Sequence, residues 1–362
     1  MKIRICLLIF FLLLTGILIL VGGTCSALAP KLLRFEGESM GTTWHVSVIS
    51  DGKNPISEEK AQAIQTVLED ALKAVDFRMS TWKEFTELSR INAQETIEED
   101  FELSPEMALV MKKALEISQK TSGAYDVTIG PLVDLWKFGP TRDNPEMPAI
   151  PNEEAIAKAK SQTGFQALEL IPSQNSNSVC LSRKKMGLKI DLSSIAKGYG
   201  VDCAVEALEN MGIKNFMVEV GGEVRTSGTN HLKKPWRLGI ELPIPNSNLL
   251  FGTTELSGQS LATSGDYRNF KMEGDKRRSH IIDPRTGKPV EHSLVSVSVI
   301  AADCMTADAW ATAFMVLGPE EGKKIAEMEK IPVLFLIQEG QEIKSLSMGF
   351  PITKNPYLKN ER

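Results

Sequence analysis

Residues 189–220 read KIDLSSIAKGYGVDCAVEALENMGIKNFMVEV, and this stretch decides the fold class. A short apolar strand over 187–191 is predicted to lead into a helix over Ser194–Met211. Gly212 ends that helix, because glycine accepts the left-handed backbone that commonly follows a helix. A second strand is predicted over 214–220. A strand, a helix and another strand are therefore expected in direct succession.

Outward from this stretch, helices and strands mix without a regular order. Helices are predicted from Ser57 to Phe77, from Ser104 to about Ser122, from Asn152 onward, from about Thr306 to Gly318 and on to about Lys330, with Ser57, Ser104 and Asn152 as N-caps. Strands are predicted over 43–50, 167–171, 179–182, 236–242, 259–263 and 295–301, followed by two strands joined at 339–341. A proline-rich loop is predicted over 137–152. Because no βαβ rhythm appears, the sequence predicts an α+β fold with mixed or antiparallel sheets and packed helices.

The composition is that of an ordinary globular protein, with 42% apolar and 24% charged residues in 362 and a net charge of −5. No run of Lys or Arg stands out, which argues against a nucleic-acid partner. Three cysteines, Cys180, Cys203 and Cys304, follow no metal or redox spacing. Buried small side chains are expected there, and one disulfide stays open.

The N-terminus has the layout of a secretory signal. Lys2 and Arg4 precede an apolar run over 5–21, and small residues lead to Cys25. The prediction is a signal peptide over 1–24 whose following Cys25 is lipidated. Cleavage after Ala29 and an uncleaved membrane anchor stay open, and all three alternatives place the body of the protein outside the cytoplasm. The remaining chain is divided into a tether over 25–35, a domain over 36–350 and a C-terminal tail over 351–362.

Two polar segments are richer in Gly, Ser and Asp than their structural roles require. In the segment 123–131, a turn is expected to expose Tyr125 and Asp126, so that the ring stacks on a planar ligand and the carboxylate accepts hydrogen bonds. A helix-stop loop with a packed Tyr fits the same residues. In the segment 189–200, Ser194 and Lys197 open a helix whose N-terminal N–H groups favour phosphate. A capped helix with a solvated Lys is the alternative.

Two later segments point to a metal and a phosphate ligand. Gly221 and Gly222 follow a strand and permit close approach of a ligand, as would a β-bulge. Asp308 and Thr312 are four residues apart, so they share one helix face. A carboxylate with a hydroxyl suits Mg²⁺, which keeps waters and substrate phosphates as its other ligands. An acid in the first turn of a helix would also explain Asp308.

Taken together, eight stretches resemble the ApbE family of FAD:protein FMN transferases. They are Glu38–Thr42, Met79–Trp82 with Leu88–Asn92, Gly123–Val133, Asp191–Gly200, Val220–Glu223, Ala262–Tyr267, His280–Gly287 and Ala307–Thr312. Each is weak alone, but they follow the family order over nearly the whole exported part. The resemblance implies an α+β fold with FAD in a cleft.

The resemblance also implies the site residues. FAD as substrate would contact Met40, Trp82, Ala124, Tyr125, Asp126, Asp191, Lys197 and Ile282. Mg²⁺ would take oxygens from Ser194 (through its carbonyl), Asp308 and Thr312. Some family members carry an acid one position before that Thr, where this chain has Ala311, so fewer anionic ligands are expected. Among the few histidines, His280 is the candidate base.

The expected reaction is Mg²⁺-dependent transfer of the FMN half of FAD to a Thr or Ser hydroxyl of a target protein, with release of AMP. Hydrolysis of FAD to FMN and AMP, and flavin binding without turnover, stay open. The resemblance implies an acceptor in a membrane electron-transfer complex, such as a Na⁺-pumping quinone reductase. The enzyme would face the periplasm from the inner membrane, held by a lipid at Cys25.

Overall fold

An eight-stranded antiparallel sheet is the centre of the computed structural model. The structure describes residues 30–52, 55–94, 96–97, 99–140, 150–173, 178–244, 247–266, 270–273 and 276–357. The large sheet has the strand order β1-β2-β6-β7-β10-β15-β16-β17. Its strands are β1 (Lys31–Ser39), β2 (Thr42–Ser50), β6 (Phe216–Val220), β7 (Glu223–Ser227), β10 (Ser260–Gly265), β15 (Leu294–Ala301), β16 (Val333–Glu339) and β17 (Glu342–Met348). The predicted α+β class is confirmed.

Smaller sheets and seven helices complete the described part of the chain. The remaining strands are β3 (Phe101–Leu103), β4 (Leu168–Pro172), β5 (Val179–Arg183), β8 (Trp236–Glu241), β9 (Leu250–Leu256), β11 (Phe270–Glu273), β12 (Lys276–Ser279), β13 (Ile282–Asp283), β14 (Lys288–Pro289) and β18 (Thr353–Lys354). The helices are α1 (Glu58–Met79), α2 (Glu87–Ala93), α3 (Pro105–Lys120), α4 (Gly130–Leu135), α5 (Glu153–Ser161), α6 (Ala196–Asn210) and α7 (Cys304–Glu329). Among the helices described here, none combines the length and the apolar character that crossing a bilayer requires.

The predicted helix caps are confirmed. Ser57, Ser104 and Asn152 each accept a hydrogen bond from the backbone N–H three residues later. Asp303 caps α7, which begins at Cys304 rather than at the predicted Thr306. The predicted break at Gly318 is also confirmed, since its φ of 73° and ψ of 179° are not helical.

Strand β15 is buried on both faces because it separates two apolar layers. Val297 and Val299 join the core that includes Phe314 of α7. Ile300 joins a second core with Ile240 of β8 and Phe251 of β9. This arrangement places α7 on one side of the sheet and the β8–β9 hairpin on the other.

Helix α6 packs directly against α7 through Gly198. A Cβ at Gly198 would lie 2.4 Å from the carbonyl oxygen of Cys304 and 2.8 Å from Cβ of Asp308. One helix turn later, Asp202 accepts hydrogen bonds from the N–H groups of Cys304 and Met305. These contacts fix the N-terminal turn of α6 against the first turns of α7.

Several predicted boundaries are wrong. The segment 187–191 does not form a full strand, since Lys189 makes a single parallel bridge with Ile129 and the side chain of Asn92 binds both backbone groups of Ile190. The predicted tether over 25–35 extends too far, since β1 begins at Lys31 and Phe35 is buried in the core. The tail over 351–362 is partly structured, because β18 pairs with β9. The predicted signal peptide, Cys25 and most of the loop over 137–152 lie outside the described residues.

Candidate functional site

A cleft of about 640 Å³ opens where five loops meet the start of α7. Its size is that of a site for an organic cofactor or substrate. It is lined by residues from all of the polar segments singled out above, namely Ala124, Tyr125, Asp126, Ile129, Val133, Asp191, Ser193, Ser194, Lys197, Glu219, Gly221, Gly222, Glu223, Gly239, Glu241, Thr263, Ser264, Gly265, His280, Ile281, Ile282, Pro284, Asp308, Thr312 and Val316. The sequence-predicted residues from five separate elements are therefore brought together.

Asp308 and Thr312 lie on the face of α7 that borders the cleft. The residue Asp308 is 2% exposed, and its Oδ2 accepts a hydrogen bond of 2.9 Å from Gly198 N. Its Oδ1 lies 3.8 Å from Lys197 Nζ, which is longer than a hydrogen bond. The Thr312 hydroxyl lies 3.1 Å from that of Ser264. A carboxylate and two hydroxyl groups thus face the same space.

Ser194 lies in a turn before α6 rather than in the predicted first turn of the helix. Asp191 Oδ1 accepts hydrogen bonds from N and Oγ of Ser193, which stabilises this turn. Asp308 takes the N–H of Gly198, which in a longer helix would donate to the Ser194 carbonyl. No backbone N–H within the described ranges donates to that carbonyl. The Ser194 carbonyl is consequently available to a ligand.

Tyr125 and Asp126 are buried, so their predicted exposure is wrong. They are 2% and 8% exposed, respectively. Asp126 accepts hydrogen bonds from both N and Oγ1 of Thr128 and from Phe165 N, so its carboxylate holds the loop in place. The Tyr125 hydroxyl accepts a hydrogen bond from Ser194 Oγ. Burial raises the pKa of Tyr125, and the charge of Asp308 adds to the shift, so the phenol stays neutral.

Lys197 joins Glu223 and Asp308 at the floor of the cleft. Its Nζ lies 2.6 Å from Glu223 Oε1. Burial alone would lower the pKa of Lys197, but the charges of Asp308 and Glu223 raise it, so the ammonium is retained. Burial acts to raise the pKa of Glu223, and the ammonium of Lys197 opposes this rise.

His280 and Ile282 form part of the opposite wall, between β12 and β14. His280 is half-buried, and its ring meets Phe138 edge-on at 6.3 Å between centroids. Ile282 is 3% exposed and supplies apolar surface. An imidazole is thereby placed at the rim of a cleft whose floor carries carboxylates.

Two predicted contact residues, Met40 and Trp82, are not among the residues that line the cleft. Met40 lies in the turn between β1 and β2, and its sulfur packs against Gly200 of α6. Trp82 is 54% exposed and follows the end of α1. A Met or Trp side chain can pack in the core, lie at the surface or contact a ligand. A sequence motif alone does not show which of these applies.

The lining of the cleft is strongly acidic. It includes six carboxyl side chains, from Asp126, Asp191, Glu219, Glu223, Glu241 and Asp308. Lys197 is the one Lys or Arg among the described lining residues. Within the described part of the chain, no group of three or more His, Cys, Asp or Glu forms a ready metal site. The described lining therefore holds more carboxyl groups than cationic groups.

The sequence prediction missed Glu223 as a site residue. The signal was present, because the Gly221–Gly222 turn that was expected to approach a ligand is flanked by Glu219 and Glu223. Both acids line the cleft. Only the hairpin between β6 and β7 brings Glu223 within reach of Lys197.

Comparison with known proteins identifies the family of the chain. The ApbE family model matches residues 40–335. An FAD:protein FMN transferase from Vibrio cholerae is 39% identical over 331 residues, covering 91% of this chain and 94% of that protein. An FAD:protein FMN transferase from Escherichia coli K12 is 38% identical, covering 88% and 87%. The solved structure of the flavin transferase ApbE from Vibrio cholerae matches with a TM-score of 0.78 at 38% identity, covering 89% of this chain and 98% of that one.

The family match spans all the described segments that line the cleft, from Ala124 to Val316. Sequence identity and structural similarity both extend over most of the chain rather than over one motif. The predicted resemblance is thereby confirmed, and the chain belongs to the ApbE family.

Proposed function

We propose that this chain transfers the FMN half of FAD to a Ser or Thr hydroxyl of a target protein, releases AMP and uses Mg²⁺. The observation that carries the proposal is the charge of the cleft, where the described lining residues carry six carboxyl groups and one ammonium. These carboxylates would repel a pyrophosphate unless a further cation accompanied it. Family membership supplies the substrate, since relatives 38–39% identical carry the name FAD:protein FMN transferase.

The residues fit Mg²⁺. This ion prefers oxygen ligands and commonly takes one or two carboxylates together with substrate phosphates and water. Asp308 Oδ1, the Thr312 hydroxyl and the Ser194 carbonyl would supply such oxygen ligands, since all three residues line one cleft. When bound, Mg²⁺ would act as a Lewis acid on the pyrophosphate, an effect worth several kcal/mol.

The chain's own residues would position the two reactants. The acceptor hydroxyl attacks the FMN phosphorus, a new O–P bond forms, and the bond to the AMP phosphate oxygen breaks. His280 would accept the hydroxyl proton, since imidazole titrates near neutral pH. Lys197 would face the charge that develops on the phosphates, while Tyr125 and Ile282 shape the wall. Catalysis in this arrangement is mainly orientation and charge stabilisation.

The test combines the full-length chain in detergent with FAD, Mg²⁺ and a flavin-acceptor protein, and reads the acceptor by intact-mass spectrometry. We expect an added FMN mass that EDTA prevents. Mg²⁺-dependent AMP release without a mass shift would replace the proposal with FAD hydrolysis. Retained FAD with neither product would leave flavin binding as the function.

Replacing His280 with alanine is expected to lower kcat for transfer about 10²- to 10⁴-fold at saturating FAD, because the acceptor hydroxyl loses its base. His231→Ala is the matched control, since His231 is exposed and does not line the cleft. Initial rates of FMN incorporation measure both variants. Near-normal transfer by His280→Ala would contradict the assignment.

We also propose that the enzyme is exported and held at the periplasmic face of the inner membrane by a lipid on Cys25. The basic residues, the apolar run and the small residues before Cys25 support this proposal. Lateral diffusion would then bring it to acceptor subunits of membrane electron-transfer complexes. Mass spectrometry of the mature N-terminal peptide is expected to show a diacylglyceryl cysteine, and an unmodified N-terminus would contradict the anchor.

A further inference from the structure

Lys197 lies between two buried carboxylates but contacts them unequally. Its Nζ is 2.6 Å from Glu223 Oε1 and 3.8 Å from Asp308 Oδ1. The side chains of Glu223 and Asp308 are only 4% and 3% exposed. Glu223 therefore holds the ammonium at hydrogen-bond distance, and Asp308 does not.

The backbone fixes this preference. Glu223 begins β7 directly after the Gly221–Gly222 turn, and its backbone pairs with Val220 in the sheet. The turn itself is held by a 2.6 Å hydrogen bond from Gly222 N to Glu219 Oε1. A Cβ on Gly221 would lie 3.3 Å from Cδ of Lys197, so the missing side chain leaves room for the lysine stem.

Glu223 has a further property that singles it out. Its Oε2 is buried and has no hydrogen-bond partner within the described residues. A buried carboxylate that lacks other partners depends strongly on its one ion pair. Lys197 therefore holds the Glu223 side chain in place, and Glu223 holds the Lys197 side chain in place.

The charges give this contact a role, which rests on the cation site of the proposed function. A divalent cation at Asp308 would bring a second positive charge close to the ammonium of Lys197. Like charges at such a distance repel unless one has a carboxylate of its own. We propose that Glu223 is a positioning residue that holds Lys197 off Asp308, so that Asp308 binds the divalent cation and Lys197 faces the anionic substrate.

Removing the Glu223 carboxylate should weaken the binding of Mg²⁺. In Glu223→Gln, the ammonium loses its short partner, and Asp308 becomes the nearest carboxylate. Lys197 then competes with Mg²⁺ for Asp308. The affinity for Mg²⁺ should fall about ten-fold, which is within the range of coupling between contacting residues. Removing the competitor as well, in Glu223→Gln with Lys197→Met, should restore most of the affinity.

The test is calorimetric titration of Mg²⁺ alone into the full-length chain in detergent. The variants are Glu223→Gln, the double variant and Glu241→Gln. The last is a matched control, because it removes the same charge from the same cleft but lies on β8, away from the turn that positions Glu223. Thermal unfolding in EDTA checks that each variant is folded.

The proposal is supported if Glu223→Gln binds Mg²⁺ more weakly than wild type and the double variant regains most of the wild-type affinity. The affinity of the control should stay within about three-fold of wild type. The proposal is overturned if Glu223→Gln and wild type bind Mg²⁺ with equal affinity. A double variant as weak as Glu223→Gln would also overturn it, since Glu223 would then act as a ligand or a structural group. Absence of Mg²⁺ binding by wild type would instead remove the metal from the proposed function, and the mass assay reports on transfer separately.

Discussion

Asp308→Asn should abolish Mg²⁺-dependent FMN transfer, lowering kcat/KM about 10³-fold or more. The asparagine oxygen can still accept the hydrogen bond from Gly198 N, so the contact between α6 and α7 is preserved. The lost charge, however, is the anionic ligand that the proposed metal site takes from α7. Transfer rates from intact mass, over a range of Mg²⁺ concentrations, measure the effect.

Two readouts make this result specific to Asp308. Mg²⁺ should raise the melting temperature of the wild type and leave that of Asp308→Asn unchanged, because a ligand stabilises only the protein that binds it. Glu241→Gln removes another carboxylate from the cleft and is the control for charge alone. Transfer by Asp308→Asn at more than about a tenth of the wild-type rate would mean that Asp308 is not the metal ligand.

Gly198→Ala should destabilise the protein by about 3 kcal/mol and reduce metal binding with it. The new methyl group would lie 2.4 Å from the Cys304 carbonyl oxygen and 2.8 Å from Cβ of Asp308. These atoms belong to the start of α7 and cannot move independently, so the two helices must separate. Urea denaturation followed by circular dichroism measures the loss in the free energy of unfolding.

Gly200→Ala is the matched control on the same helix. Its methyl group would lie 2.9 Å from the sulfur of Met40, the flexible end of a side chain that can turn aside. Alanine also favours a helix over glycine by about 1 kcal/mol, which offsets part of the crowding. A Gly198→Ala variant as stable as Gly200→Ala would contradict the close packing of α6 on α7.

Local signals in the sequence located many of the elements. Ser57, Ser104 and Asn152 were identified as caps because a side-chain oxygen meets a backbone N–H only three residues away. The break at Gly318 was equally local, since glycine adopts the positive φ observed there. In contrast, the segment 187–191 has strand composition but makes one bridge, from Lys189 to Ile129, and binds the side chain of Asn92, a residue 98 positions earlier. No local pattern contains that partner.

The family resemblance predicted most of the residues singled out for the cleft, but it did not predict how each side chain is oriented. Ala124, Asp191, Lys197, Ile282 and Asp308 all line the cleft. Tyr125 was expected to be exposed and is buried, because its loop folds under the turn that carries Ser194. A short polar motif indicates that a residue is near a ligand. It does not indicate which side chain faces the ligand and which one supports the loop.

The sequence alone determined the family, the α+β class, the helix caps and breaks, and the placement of Asp308 and Thr312 on one helix face. Each of these depends on residues that are close in sequence or on motifs in a set order. Only the tertiary structure decided that Gly198 gives its N–H to Asp308 and that Lys197 pairs with Glu223. These contacts join elements that are distant in the chain, and they form because burial leaves each charge or N–H only the partners that packing brings within hydrogen-bond distance.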